Sequence, residues 1–391
     1  MAEVPGASPA GLYIHVPFCR AKCPYCDFYS VTDPSRIAAY VDALRREMTL
    51  HRRFAPRFDT LYLGGGTPSI LPPAALARII ETAQQSFSLD PDAEITLEAN
   101  PGTVSPHGLA AVRDLGINRI NIGVQSFRDD RLRFLGRIHT ARAARAAVDE
   151  ARRAGFDNIG IDLIHGLPGE TARDWGAELS AAVELAPDHL SAYLLTCEPN
   201  TPLDRARRAG RFSPIGDRRA ARLLQLTHNW LDAAGYPGYE ISNFARSEAA
   251  QSRHNRKYWT GAAYLGLGPA AHSFRGTLRR WNIRDMDRYI AALDRGRAPV
   301  AGAERLTVIQ RMIESVYLGL RMRRGWDPER FTARFGTGPL DRMASRIDRL
   351  IEEGMALWES GRLILTSQGL PVHEPIAAHL CGAFEDDGVR R

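Results

Sequence analysis

Gly11 to Ser30 reads GLYIHVPFCRAKCPYCDFYS and contains three of the five cysteines of this 391-residue chain. Cys19, Cys23 and Cys26 follow a short apolar run with the spacing C-x3-C-x2-C. Disulfides would leave one cysteine over, and a structural zinc site needs four ligands, which nothing nearby completes cleanly. An iron–sulfur cluster held by three thiolates keeps one iron open for a substrate or cofactor, and the cysteines favour this interpretation.

The composition is ordinary for a globular protein, with 44% hydrophobic and 25% charged residues. No apolar run approaches the roughly 20 residues that a membrane span requires. The first residues, MAEVPGASPAG, lack the basic and apolar parts of a signal peptide. Cysteines that are clustered rather than paired fit a reducing compartment. We therefore expect a cytoplasmic protein without a membrane span, long enough for a large α/β domain and a smaller one.

The net charge is +6, and Lys22 and Lys257 are the only lysines. Arginine pairs well with carboxylates and phosphates, so the charge alone would allow nucleic acid or an acidic tetrapyrrole as a partner. However, the arginines are dispersed along predicted helices such as 142–153, which is typical of solvated helix faces. Nucleic acid is therefore not an expected partner.

Strand-like and helix-like segments alternate about every 30 to 40 residues in the first half of the chain. The first predicted strand leads into Cys19, and the others cover 58–63, 94–98, 119–124, 158–164 and 188–195. The predicted helices between them cover 35–54, 73–87, 105–115, 141–154 and 172–185. This alternation predicts an α/β fold with a parallel sheet, a partial (β/α)6 barrel of TIM type, with its chemistry at the carboxyl ends of the strands.

The pattern changes from about Ser213 onward. A segment rich in Gly, Pro and aromatic residues comes first, and helical stretches at 305–320, 327–335 and 340–353 follow it. Helices followed by a hairpin-like alternation at 357–366 predict a winged-helix-like module. We therefore predict a barrel over residues 1–235, a connecting segment over 236–300 and a C-terminal helical, winged-helix-like domain over 301–391.

Glycine and polar residues lie at or just beyond the predicted strand ends. They are the run Gly64 to Pro68 (GGGTP), Glu98, Gln125, Arg137 and Asp162. The glycine run could bring its backbone N–H groups close to a ligand, or it could simply form a strand-to-helix turn. Carboxylates suit hydroxyl groups or an ammonium, and an arginine suits a carboxylate. Together these residues indicate a zwitterionic, ribose-bearing ligand.

The cysteine spacing, with Tyr25 just before the last cysteine, resembles the signature of the radical S-adenosylmethionine (SAM) superfamily. In that superfamily the open iron of a [4Fe–4S] cluster chelates SAM, and an electron cleaves SAM to a 5′-deoxyadenosyl radical. The lead-in YIHVPFC, Tyr13 to Cys19, is similar to the branch of oxygen-independent coproporphyrinogen III oxidases and HemW-type haem chaperones.

This resemblance implies that Cys19, Cys23 and Cys26 hold a [4Fe–4S] cluster, which an electron donor reduces. It also implies that SAM is contacted by Tyr13, Gly65, Gly66, Thr67, Glu98, Gln125, Arg137, Asp162 and His272.

Three features distinguish the oxidases from the chaperones. The oxidases typically carry a further cysteine two residues after the third ligand, where this chain has Phe28, and they extend further before the cluster than the ten residues that precede Gly11. The third feature is the H-N-x-x-Y-W motif that HemW-type proteins associate with haem binding, which this chain carries as His254, Asn255, Tyr258 and Trp259. An imidazole can ligate haem iron and aromatic rings can pack on the macrocycle, but a histidine flanked by aromatics is also a common structural residue.

The resemblance therefore implies a haem chaperone that binds haem and a SAM-coordinated [4Fe–4S] cluster and transfers haem to an acceptor protein. The alternative is an oxygen-independent coproporphyrinogen III oxidase, which Phe28 disfavours. A radical SAM enzyme of tRNA modification would fit the basic charge, but it would need an RNA-binding module that the sequence does not show. No catalytic residue is assigned, and the choice between chaperone and enzyme stays open here.

Overall fold

The computed structural model describes residues 8–103 and 106–385, so the start of the chain examined for a signal peptide lies largely outside the described residues. The strands of the main sheet are β1 (Ala10–Val16), β2 (Phe58–Gly65), β3 (Leu89–Ala99), β4 (Arg119–Gln125), β5 (Ile159–His165), β6 (His189–Leu194), β7 (Asn243–Ala245), β8 (Tyr264–Leu267), β9 (His272–Arg275), β10 (Leu278–Asn282) and β11 (Val300–Arg305). A separate hairpin consists of β12 (Ala356–Glu359) and β13 (Arg362–Leu365).

Helices alternate with these strands. They are α1 (Ile37–His51), α2 (Pro73–Ser86), α3 (Pro106–Asp114), α4 (Asp129–Phe134), α5 (Ala141–Arg153), α6 (Ala172–Glu184), α7 (Pro202–Arg208), α8 (Asp217–Ala233), α9 (Arg253–Thr260), α10 (Met286–Asp294), α11 (Val308–Arg321), α12 (Pro328–Phe335), α13 (Gly338–Glu352) and α14 (His373–Glu385). Within the described residues, no helix combines the length and the apolar character that crossing a membrane requires.

The eleven strands of the main sheet follow the order β11-β10-β9-β8-β1-β2-β3-β4-β5-β6-β7. Strands β1 to β6 are parallel neighbours in chain order, and β8 adds a further parallel partner to β1. Antiparallel pairing begins only at the two sides, with β7 beside β6 and with β9 to β11 beyond β8. The α/β fold with a partial, open barrel of six βα units is therefore confirmed.

The parallel strands are buried over most of their length, except for the start of β3 and the end of β6, as expected for a sheet that helices cover. Only Tyr13 of β1 is not fully buried, and β4 is buried up to its last residue, Gln125. Threonine caps fix where the covering helices start: Thr140 caps α5, and Thr171 forms a capping box with Asp174 at the start of α6. Because all six strands run the same way, the loops that follow them meet at one edge of the sheet.

Glu47 of α1 ties this helix to the β8 side of the sheet. Its buried carboxyl accepts hydrogen bonds from the Gly268 backbone N–H (2.8 Å), the Asn282 amide (2.6 Å) and the Tyr289 hydroxyl (2.6 Å). Burial raises the pKa of Glu47 from 4.5 to about 7, although these three hydrogen bonds oppose the shift.

A second hydrophobic core lies in the C-terminal region. It is built by α11 to α14 and the β12–β13 hairpin, around side chains such as Val316, Trp326 and Leu363. The expected helices followed by a small hairpin are therefore present. The strands β8 to β11 belong to the barrel sheet, and the domain boundaries at 235/236 and 300/301 stay predictions.

Several elements were not predicted from the sequence, namely α4, α7, α9, α10 and the strands β7 to β11, and α9 is the one that concerns the motif. The motif segment around His254 forms the helix α9 inside the stretch that is rich in Gly, Pro and aromatic residues. Ser252 caps its first turn by accepting a hydrogen bond from the Asn255 backbone N–H, and Gly261 ends it in the left-handed conformation at φ +64°. Both capping signals are present in the sequence, but the helix is only eight residues long.

Candidate cluster and cofactor site

The cysteine loop follows β1 and is closed at its base by backbone hydrogen bonds. Cys19 N–H donates to the carbonyl of Val31 (2.9 Å), and Val31 N–H donates to the carbonyl of Pro17 (2.7 Å). A turn within the loop places Cys26 N–H 3.1 Å from the carbonyl oxygen of Cys23. These contacts hold the three cysteines together at the carboxyl end of the parallel strands.

Two of the three thiols face hydrogen-bond donors, one from the turn after β2 and one from the segment after α4. The Thr67 hydroxyl lies 3.7 Å from Cys19 Sγ, and the Arg137 guanidinium lies 3.5 Å from Cys23 Sγ. All three cysteines are half-buried, and no group of three or more His, Cys, Asp or Glu side chains within residues 8–103 and 106–385 is placed to hold a single metal ion. Three partly accessible thiols with donors aimed at the sulfurs are a set that fits an iron–sulfur cluster.

The glycine turn after β2 fits tightly against the cysteine loop. Gly65 has φ +111°, and a Cβ there would lie 2.7 Å from the ring of His15. A Cβ on Gly66 would lie 2.7 Å from the Phe18 carbonyl oxygen and 3.0 Å from Cys19 Sγ. Only glycine allows the turn this close to the thiols.

The N–H groups of this turn are already in use. Gly66 N–H donates to the carbonyl of Val16 (2.8 Å), and Thr67 N–H donates to the carbonyl of Phe18 (2.7 Å). Gly65 N–H donates to a carboxylate oxygen of Glu98 at 3.1 Å. The turn therefore uses these donors to hold the loop, and does not offer them to a ligand in this conformation.

Thr67 and Arg137 are linked through Asn100, which follows β3. The Asn100 amide nitrogen donates to the Thr67 hydroxyl (2.8 Å), and its amide oxygen accepts a hydrogen bond from Arg137. Arg137 also donates to the Gly123 carbonyl (2.8 Å), near the end of β4. This network connects the ends of β2, β3 and β4 to two cysteine sulfurs.

Glu98 lies in the same rim, inside the barrel. Its carboxyl accepts a hydrogen bond from the Tyr62 hydroxyl (2.8 Å) in addition to that from Gly65. Burial raises the pKa of Glu98 from 4.5 to about 7, and the negative charge of Asp162 also contributes to this rise. A buried carboxyl with a raised pKa suits a hydroxyl group or an ammonium as its partner.

Gln125 ends β4 in a conformation that is rare for a residue with a side chain. Its φ is +67°, and the register of β4 against β5 shifts just before it. A Cβ on Gly123 would lie 2.6 Å from the Asn100 amide oxygen and 3.0 Å from the Gln125 amide nitrogen, so both side chains lie beside that glycine. The strained backbone therefore brings Gln125 to the network around Arg137.

Three further predicted residues lie around this rim without contacting the cysteines. Asp162 of β5 accepts a hydrogen bond from the Asn121 amide (2.5 Å), and burial raises the pKa of its carboxyl. The Tyr13 hydroxyl lies 3.2 Å from His15 Nδ1 within the barrel. His272 is exposed at the start of β9, where its ring stacks on Trp281 with the ring centroids 6.0 Å apart.

The helix α9 lies at the opposite, amino end of the strands. His254 Nδ1 lies 2.8 Å from the hydroxyl of Thr60, near the start of β2. The backbone N–H groups of Arg253 and His254 donate to the carboxylate of Glu94 at 2.9 and 3.0 Å. Lys257 forms an ion pair with Asp59 at 2.5 Å. The motif segment is thus separated from the cysteine rim by the length of the strands.

His254 is enclosed, with 1% of its surface exposed. Its Nε2 lies 2.9 Å from the Tyr258 hydroxyl, and its ring stacks on Tyr62 with the centroids 5.1 Å apart. Burial, followed by the positive charge of Lys257, lowers the pKa of His254 to about 3. The imidazole is therefore neutral, and both of its nitrogens already have partners.

The other motif residues have different surroundings. Asn255 donates its backbone N–H to the Ser252 cap (3.2 Å). Trp259 is half-buried under the guanidinium of Arg321, which lies 4.3 Å from the centroid of the indole ring. The indole N–H of Trp259 has no acceptor among the described residues.

Several members of the site were not predicted from the sequence. Asn100 joins Thr67 to Arg137, and its position directly after a strand was the signal that could have identified it. Tyr62 connects the two ends of the barrel, because its ring stacks on His254 and its hydroxyl donates to Glu98. The motif residue His254 and the rim residue Glu98 therefore contact the same side chain.

Comparison with known proteins defines the family. The model of the radical SAM superfamily matches residues 13–180, and that of the HemN C-terminal domain matches residues 306–372. The parallel sheet and its cysteine loop are thus those of a radical SAM protein. A heme chaperone HemW from Mycobacterium tuberculosis is 36% identical and aligns over 98% of this chain and 97% of its own length. One from Bacillus subtilis is 32% identical, over 91% of this chain and 95% of its own. The chain belongs to the HemW family.

A solved structure, that of coproporphyrinogen III oxidase (HemN) from Escherichia coli, has the same fold. Its TM-score is 0.82, at 24% sequence identity, and the match covers 96% of this chain and 90% of that one. At this level of identity the likeness concerns the fold. The position where the oxidases typically have a further cysteine is occupied here by Phe28, which is 63% exposed.

Proposed function

We propose that this protein is a haem chaperone that carries a [4Fe–4S] cluster, binds SAM and transfers haem to an acceptor protein. The observation that carries the proposal is the extent of the match to heme chaperones, which reaches 98% of the chain and includes both the cysteine loop and α9. Phe28 beside the cysteine loop supports the same conclusion, because a fourth cysteine would favour the oxidase alternative.

The cluster would be held by Cys19, Cys23 and Cys26, and when bound it would supply an iron with an open position for SAM. Thr67 and Arg137 donate toward two of the sulfurs and so stabilise their negative charge. An electron donor protein would be needed to reduce the cluster.

SAM would lie over the same rim. The N–H groups of Gly65 and Gly66 already donate hydrogen bonds within the protein. The methionyl ammonium would therefore pair with an acceptor such as the Glu98 carboxyl. Arg137 suits the methionyl carboxylate, and Gln125 and Asp162 suit the ribose hydroxyls. Tyr13 and His272 complete the proposed set as further contacts around the edge of the barrel.

Haem would be bound at the α9 end of the barrel. Coordination of the iron by His254 would require the Tyr258 hydroxyl to leave Nε2, which it contacts at 2.9 Å. Trp259 is half-buried and offers an apolar surface for the macrocycle without such a rearrangement. Asn255 lies in the first turn of the same helix.

Titration of the full chain with haem, followed by the Soret band, tests this function. We expect a saturable shift of the band, and a different band position for the Tyr258→Phe variant if His254 is the ligand. A wild-type protein that leaves the Soret band unchanged would refute the chaperone function. Anaerobic reconstitution followed by addition of SAM and coproporphyrinogen III separates the alternatives, since protoporphyrin fluorescence would establish the oxidase instead.

A further inference from the structure

A cleft lies between the carboxyl end of α9 and the C-terminal helices. It is open to solvent and has a cavity volume of about 150 Å³, smaller than sites that enclose a whole small molecule, so it would hold the edge of a larger ligand. Trp259, Thr260 and Gly261 form one side of it, and residues of α11, α12 and the connection between them form the other. The cleft therefore begins where the motif helix ends.

The lining of the cleft is strongly basic. Its charged members are Arg311, Arg324, Arg330, Arg334, Arg362, Glu314 and Asp327. Both carboxylates already have a partner: Glu314 pairs with Arg279 at 2.8 Å, and Asp327 pairs with Arg362 at 2.7 Å. The other four arginines form no ion pair with any residue that the structure describes.

These arginines crowd one another. Arg334 is exposed overall, but partial burial of its guanidinium, followed by the positive charges of Arg311 and Arg330, lowers its pKa. Burial and the charges of Arg256, Arg362 and Arg330 likewise lower the pKa of Arg324. Like charges gathered without counter-ions are stabilised by any anion that enters between them.

The cleft also offers aromatic surface and unused donors. Trp259 and Trp326 both line it, and neither indole N–H has an acceptor among the described residues. Arg311 Nε is buried and unpartnered within the described parts of the chain as well. Trp259 is half-buried, so its indole ring is the aromatic surface that the cleft presents to a ligand.

We propose that this cleft binds haem by its propionate carboxylates, with the macrocycle edge against Trp259. The inference rests on the proposed haem function and assigns the carboxylate contacts to arginines of the C-terminal region, chiefly Arg330 and Arg334 of α12. A dianionic planar ligand satisfies both properties of the cleft, because its carboxylates meet arginines in a bidentate manner while the edge of its ring meets the half-buried Trp259.

The test compares haem with haem dimethyl ester, in which both propionates are uncharged. Each is titrated into the full chain and followed by the Soret band. The same titrations are carried out on the double variant Arg330→Gln/Arg334→Gln and on a control, Arg218→Gln/Arg219→Gln, which removes two exposed arginines at the start of α8. Circular dichroism verifies that the variants are folded, and none is expected to lose structure because all four side chains are exposed.

We expect wild type and control to bind haem at least tenfold more tightly than the ester. In the α12 double variant, haem should bind at least tenfold more weakly than in wild type and no better than the ester. Equal binding of haem and ester by wild type would overturn the cleft proposal while leaving the haem function intact, as would unchanged haem affinity in the α12 variant. A wild type that binds neither would refute the proposed function itself, and the cleft proposal with it.

Discussion

Replacement of Gly66 by alanine tests the close approach of the glycine turn to the cysteine loop. The new Cβ would lie 2.7 Å from the Phe18 carbonyl oxygen and 3.0 Å from Cys19 Sγ, whereas ordinary contacts begin near 3.4 Å. The φ of Gly66 is not in the left-handed region, so the substitution adds a steric clash without backbone strain. Since the carbonyl belongs to the loop backbone, the loop has to move away from the turn, and Cys19 moves with it.

Overpacking of this kind costs about 1–3 kcal/mol. If cluster binding requires the loop to return to its original position, this cost makes the free energy of cluster binding less favourable. The affinity for the cluster would then fall roughly fivefold to more than a hundredfold. The iron and sulfide content after anaerobic reconstitution, and the rate at which a chelator removes the iron, measure this effect. The matched control is Gly338→Ala at the start of α13, where a Cβ would meet nothing within 4 Å. If the Gly66→Ala protein retains its cluster as well as the control does, the close contact between the turn and the cysteine loop does not contribute to cluster binding.

Three further outcomes are expected. Glu47→Gln removes a carboxyl whose pKa rises from 4.5 in unfolded chains to about 7 on folding, so wild type should lose about 3 kcal/mol of stability relative to the variant between pH 4.5 and 7. The prediction would be contradicted if the free energies of unfolding of wild type and variant, measured with urea, changed equally with pH across this range. Thr67→Val removes the donor toward Cys19 Sγ and should make the cluster's midpoint potential more negative, measured by redox titration; an unchanged potential would refute the assignment. Tyr258→Phe leaves the burial and the Lys257 charge that lower the pKa of His254 in place, so NMR titration should still find a neutral imidazole; a pKa raised toward the ordinary value would show that the Tyr258 hydroxyl controls it.

The parallel sheet could be predicted from the sequence because its signals are local. Each strand is a short apolar run followed by a turn, and residues that follow parallel strands must meet at one edge. This reasoning placed Thr67, Glu98 and Arg137 near the cysteines. It did not place Asn100, because an asparagine after a strand is common in turns and only its two contacts distinguish it.

The environment of His254 could not be predicted, since it depends on residues far away in the chain. Thr60 and Glu94 precede the motif by more than 150 residues, and they determine that the imidazole faces into the barrel. The gathering of the C-terminal arginines could not be predicted either. Spread along the sequence, they indicate solvated helix faces, but packing of the C-terminal helices gathers Arg311, Arg330 and Arg334 around one cleft.

The position of α9 at the amino ends of the strands separates the motif helix from the cysteine loop at their carboxyl ends. Thr60, which contacts His254, and Gly65, which borders the cysteine loop, are five residues apart on β2, or about 16 Å at the rise of a strand. The stacked rings of Tyr62 and His254 lie between them, so under the proposed function packed side chains would separate a radical formed at the cysteine rim from haem bound at α9. The two ends of the barrel also face different directions, so under the proposed function an electron donor and a haem recipient would dock on different surfaces.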